Sequence, residues 1–122
     1  IFLKDAAVHA GLGIIGRNNL LITPPFGPRV RFRALFLDRI LEPATPLQYA
    51  PCAACDAPCL RACPQNAFPQ GSYERDLCGR QMDRDVARRS PSPVPEPGEP
   101  EKGWIQYCRR CELACPVGWA HG

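Results

Sequence analysis

The rhythm of apolar and polar positions changes several times along this chain. In LKDAAVHA (residues 3–10), Leu3, Ala7 and Ala10 recur at helical spacing, which predicts the end of a helix. Gly11 stands where a glycine past the last turn stops such a helix. Leu20-Leu21-Ile22-Thr23 is short and apolar and predicts a buried strand, followed by a turn at Pro24, Pro25 and Gly27. From Val30 to Leu37, Val30, Phe32, Ala34 and Phe36 alternate with Arg31 and Arg33, then with Leu35 and Leu37. That pattern predicts a strand, polar on one face at its start and buried on both at its end. Residues 74–89 (ERDLCGRQMDRDVARR) predict a charged surface helix interrupted or weakened at Gly79. Helical turns are expected at Cys59–Cys63 and Cys111–Cys115, while residues 90–101 (SPSPVPEPGEPE) predict a mobile segment, either a solvated linker or a loop ordered by contact.

Short helices and short strands in separate stretches make this an α+β chain. Its composition shifts near residue 50, dividing it into residues 1–49 and a cysteine-rich 50–122 in which 90–103 form a Pro-rich loop. The 122 residues suffice for one ordinary domain or two small ones. The chain starts at Ile1 and its one methionine is Met82, so a fragment or trimmed chain is expected. No apolar run approaches the ~18–20 residues that span a bilayer, and no secretory leader opens the chain. A net charge of +3 falls short of a strongly nucleic-acid-binding composition. Fifteen prolines and ten glycines describe a loop-rich protein, in which bound metal would take over part of the role of a core.

The cysteines carry the chemistry. Seven of the eight fall into two similar runs, Cys52-x2-Cys55-x3-Cys59-x3-Cys63-Pro64 and Cys108-x2-Cys111-x3-Cys115-Pro116, with Cys78 between them. Two cubane 4Fe–4S clusters need four thiolates each, which leaves no cysteine over. In bacterial ferredoxins the cysteine before the closing proline crosses to the other cluster. Applied here, that rule groups Cys52, Cys55 and Cys59 with Cys115, and Cys108, Cys111 and Cys63 with Cys78. The chain then reads as a two-cluster electron relay. Cys78 stands apart from both runs and could instead be a buried structural thiol. The first run carries one residue more than the usual spacing, among Asp56, Ala57 and Pro58; Pro58 would stiffen that detour by fixing its own φ. Disulfides compete poorly, because the cysteines crowd together instead of spreading as staples. Zinc competes better, since Cys-x2-Cys pairs also build tetrahedral thiolate sites, but the Cys-Pro extension has no purpose there.

Gly11-Leu12-Gly13-Ile14-Ile15-Gly16 carries the letters of the G-x-G-x-x-G dinucleotide fingerprint without its context, because a helix precedes the glycines and a strand follows. Either a tight connection or the close approach of backbone to a flat cofactor accounts for them.

KDAAVHAGLGIIGRNNLLITPPFGPRVR, residues 4–31, together with the eight-cysteine pattern, resembles epoxyqueuosine reductases and corrinoid reductive dehalogenases. In those families such a segment closes a cobalamin-binding domain and leads into a two-cluster ferredoxin module. The resemblance implies the C-terminal part of an α/β cobalamin-binding domain over residues 1–49, followed by a bacterial-type two-cluster ferredoxin-like module. It implies cobalamin beside the two 4Fe–4S clusters, with Gly11, Leu12, Gly13, Gly16, Asn18, Asn19 and Leu20 as corrinoid contacts. It also implies an electron donor of ferredoxin or flavodoxin type, and a tRNA or organohalide substrate reached through an upstream region. Epoxyqueuosine reductases usually have Trp and Lys where Ile14 and Arg17 stand, and Gly27–Arg31 leans toward the dehalogenases. Oxygen-sensitive clusters imply a cytoplasmic setting, with an exported dehalogenase relative as the exception.

Other side chains carry weaker expectations. His9 reads as an ordinary helix residue and His121 lies at a terminus. Arg29, Arg31 and Arg33 would share a strand face able to bind phosphate, and Trp104 and Trp119 would shield the second run from water. Two other readings stay open: a stand-alone ferredoxin-like carrier without corrinoid, and a zinc-stabilised binding module.

Overall fold

A computed structural model describes residues 2–91 and 103–119. Most of the Pro-rich stretch, and His121, lie outside the described residues. Helix α1 spans Leu3–His9 and packs through Ala7, whereas Leu3 is largely exposed. Asp5 in its first turn and His9 in its last both suit the helix dipole. The expected stop is there in full. Gly11 has φ +71°, its N–H donates to the Val8 carbonyl, and the Leu12 N–H donates to the Ala7 carbonyl. This double bond pattern around a left-handed glycine is the Schellman close of a helix.

Strands β1 (Ile14–Ile15) and β2 (Leu21–Ile22) form an antiparallel pair with Ile14 opposite Ile22 and Ile15 opposite Leu21. The turn between them is held by Gly16 donating to the Leu20 carbonyl and Asn19 donating to the Gly16 carbonyl. Asn19 takes the left-handed conformation that its short polar side chain tolerates. Leu21 and Ile22 are buried, as expected of the apolar run. A second tight turn, Thr23 to Gly27, closes with reciprocal backbone bonds.

The strand expected over Val30–Leu37 does not form. No backbone–backbone hydrogen bond among the described residues starts or ends between Val30 and Tyr49. Leu35, Phe36 and Ile40 are 85%, 93% and 99% exposed. A strand exists only through a neighbour that takes its N–H and C=O groups, and no described segment supplies one.

The cysteine-rich half is built from short helices. Helix α2 (Pro58–Arg61) and helix α4 (Arg110–Leu113) pack against each other, each opening within a cysteine run. Between them lie a 3₁₀ turn at Pro69–Gly71 and helix α3 (Arg75–Ala87). Helix α3 runs through Gly79 without interruption, contrary to the expected break. The two ends of the Pro-rich stretch are tied together, Ser90 and Trp104 exchanging both backbone bonds. Mixed short helices and one small sheet agree with the α+β class.

Candidate metal centres

The first run begins in turns, with Cys55 donating to the Cys52 carbonyl, before helix α2. Its additional residue is absorbed at Ala57, which is buried in the left-handed conformation at φ 56°. Pro58 follows as the first helical residue, where its fixed φ and missing N–H cost nothing. Arg61 reaches back to the Asp56 carboxylate at 2.8 Å and spans the same detour. The Cys63 sulfur then accepts a hydrogen bond from the Ala67 N–H at 3.3 Å.

Helix α3 brings the isolated cysteine to the second run. Cys78, Gln81 and Met82 line one cavity with Cys63, Cys108 and Cys111, and Asp85 stands one further turn along the same helix face. Asp85 accepts the Cys108 backbone N–H at 2.8 Å, while Gln81 links Gln65 (3.0 Å) to Asp85 (2.8 Å). So the polar stripe of α3 is not surface decoration; it fixes the start of the second run. Sequence reasoning missed Gln81 and Asp85. Their positions three and seven residues after Cys78 were the available signal.

The cavity measures about 200 Å³, and Lys4, Asn18, Asn19 and Leu20 from the first half complete its walls. Buried Asn18 donates to the Cys111 carbonyl at 3.4 Å, and Lys4 donates to the Asn19 carbonyl at 2.6 Å. A lone zinc ion draws its thiolates to about 2.3 Å from a single point. Four cysteines spread around a mostly apolar cavity several water volumes in size suit a larger, polynuclear group.

The three cysteines whose thiols are shifted feel different neighbours. Burial pushes the Cys111 thiol up to about 11, helped by Cys108, Cys63 and Cys78. Burial likewise raises Cys59, with Cys115, Cys52 and Cys55 adding to it. Cys115 is raised by burial, opposed by the Val117 backbone, and pushed further by Cys52 and Cys55. A thiol raised by neighbouring cysteines lies close to them, and a cation among them would reverse the penalty. Tyr73, stacked at a tilt on Phe68, is pushed up to about 12 by burial and by its bond to Cys78.

The other expected site residues are scattered. On the side where a side chain would stand, Gly13 meets the Ile22 backbone and Gly16 meets the Ile22 side chain. These glycines therefore let the β1–β2 turn close on itself. Asn18, Asn19 and Leu20 face the cysteine cavity, and Leu12 lines a separate open groove with Phe26, Val30 and Phe32. His9 is exposed. Arg29, Arg31 and Arg33 share no strand face: Arg29 and Arg31 are bound to the second run, and Arg33 donates to the Phe32 carbonyl. Trp104 and Trp119 are each more than half exposed, and Trp119 covers Arg29, its ring centroid 4.3 Å from the guanidinium.

No family model matches the chain. Over 127 aligned positions it is 39% identical to a tetrachloroethene reductive dehalogenase of Sulfurospirillum multivorans, covering 94% of this chain and 24% of that protein. It is 35% identical to an epoxyqueuosine reductase of Listeria monocytogenes, covering 98% of this chain and 31% of that one. The chain belongs to the reductive dehalogenase and epoxyqueuosine reductase superfamily. A crystal structure of an epoxyqueuosine reductase superposes with a TM-score of 0.57 over 94% of this chain and 29% of that one, at 21% identity, so the superfamily fold carries this segment. The chain thus spans about a quarter to a third of the length of these superfamily members.

Proposed function

We propose that this chain is the electron-delivering part of a reductase and holds two 4Fe–4S clusters. Cys52, Cys55, Cys59 and Cys115 hold one, and Cys63, Cys78, Cys108 and Cys111 hold the other. The observation that carries the reading is the cysteine-lined cavity, which gathers thiols from both runs and from α3. Such clusters carry single electrons at potentials reaching about −700 mV. The protein's share is to hold the thiolates apart, exclude water and tune charge. Ala67 donates to the Cys63 sulfur, α3 and Asn18 fix the second run, and the apolar walls keep water out.

The electron's destination would be a corrinoid held largely by the rest of a longer protein, as the superfamily resemblance implies. In this chain the groove of Leu12, Leu21, Phe26 and Val30 is the apolar surface available to a flat ring. A second reading, a carrier that needs no corrinoid, is favoured by one observation: the occupied faces of Gly13 and Gly16. The substrate class, tRNA or organohalide, belongs to the rest of the protein.

Anaerobic reconstitution with iron and sulfide tests the proposal. Two sets of cubane iron and acid-labile sulfide per chain are expected, and Cys78→Ala should lose one set while keeping the other. Absence of labile sulfide in the native chain would overturn it. Adding hydroxocobalamin to the reconstituted full-length protein separates the two readings, because only the first requires that protein to retain corrinoid.

A further inference from the structure

Arg29 lies in the first half of the chain, yet its guanidinium is built into the end of the second cysteine run. One nitrogen donates to the Cys115 carbonyl at 3.1 Å and to the Glu112 carbonyl at 3.4 Å, and another donates to the Val117 carbonyl. The Trp119 ring covers it at 4.3 Å, so the charge is half-buried and partly shielded from water. All three acceptors are neutral carbonyls, and no ion pair among the described residues involves Arg29. The nearby Glu112 carboxylate is already taken by Arg31 at 3.3 Å and by Arg109. Arg29 therefore leaves a full positive charge beside Cys115. The site is also rigid: Gly27 and Gly118 pack so closely that a side chain on either would strike the other segment's backbone.

We propose that Arg29 is a positioning residue that fixes Cys115 and raises the reduction potential of the cluster held by Cys52, Cys55, Cys59 and Cys115, leaving the other cluster lower. This rests on the two-cluster reading above. The step concerned is the uptake of one electron from an external low-potential donor, with no bond made or broken. The added electron makes an anionic thiolate-bound group more negative, and a cation within a few ångströms favours that reduced form. Two cations, Lys4 and Arg109, line the cavity of the other set, but Lys4 donates to the Asn19 carbonyl and Arg109 is paired with the Glu112 carboxylate, so neither is an uncompensated charge held on a cysteine of that set as Arg29 is on Cys115.

The test is an anaerobic redox titration of the reconstituted full chain with dithionite, read by electron paramagnetic resonance. Arg29→Gln should keep both clusters and move one of the two midpoints to more negative potential. Arg29→Lys should restore most of that shift, because it keeps the charge. Trp119→Glu provides a route that leaves Arg29 in place, setting a carboxylate against its open face, and should produce the same negative shift. Unchanged midpoints in Trp119→Glu, or in an Arg29→Gln protein with full iron and sulfide, would overturn the proposal. Should Arg29→Gln lose its cluster, the Trp119→Glu midpoint alone decides. A native chain without labile sulfide would instead sink the underlying two-cluster reading, a separate and recognisable failure.

Discussion

Glu112 is 6% exposed and would be costly as an isolated charge. Burial pushes its carboxyl upward, but hydrogen bonds from Arg109 and Arg31 outweigh that, and the net shift is downward. A folded pKa below the unfolded value of about 4.3 means stability present above that pH and lost as pH falls through the folded pKa. Glu112→Gln should therefore weaken the acid-side dependence of unfolding and cost roughly 1–3 kcal/mol at pH 7, as lost charged hydrogen bonds do. Urea unfolding of anaerobic samples at pH 7 and pH 4 measures both. The detour before Cys59 and the turns that hold the two cysteine runs were legible from spacing and the placing of Pro58. The role of Glu112 was not. Its partners lie 81 positions away at Arg31 and three away at Arg109, and only the fold unites them.

At the scale of elements, α1, the β2 strand and the helical turns α2 and α4 follow from local pattern and turn chemistry, and appear close to where the sequence puts them. Helix α3 was legible as a helix but not as a wall of the site, since its many charges disguise the face of Cys78, Gln81 and Asp85. Gly79 was expected to break it, yet helical hydrogen bonds supplied on both sides override one glycine. A methyl group at Gly79 would meet no atom within 4 Å. Gly79→Ala should therefore raise stability by about 0.5–1 kcal/mol with unchanged iron content, measurable by thermal melting. Asp85→Ala should do the opposite at the site. Without the acceptor for the Cys108 N–H, the second set should lose iron faster to a chelator while the first set holds.

The whole molecule is divided between a half in which thiols organise the packing and a half that leaves apolar surface open. The alternation over Val30–Leu37 is a real strand pattern, and the backbone there is free of internal pairing. Pattern alone names a strand but not its neighbour, and pairing is decided by chain that can be far away in sequence. Superfamily members are three to four times longer than this chain, so the matching edge has ample sequence to come from. Leu35, Phe36 and Ile40 form an exposed apolar run on backbone without pairing, the combination that drives association between chains. Residues 1–122 on their own should self-associate in a concentration-dependent way, and Phe36→Lys with Ile40→Lys should suppress this without changing iron content. Sedimentation velocity checks the first point and iron analysis the second. A monomeric native chain at high concentration would mean that the run folds back on the rest of the molecule. Water satisfies the backbone groups of that run, but Leu35, Phe36 and Ile40 gain by leaving water, and pairing with a second copy removes all three together.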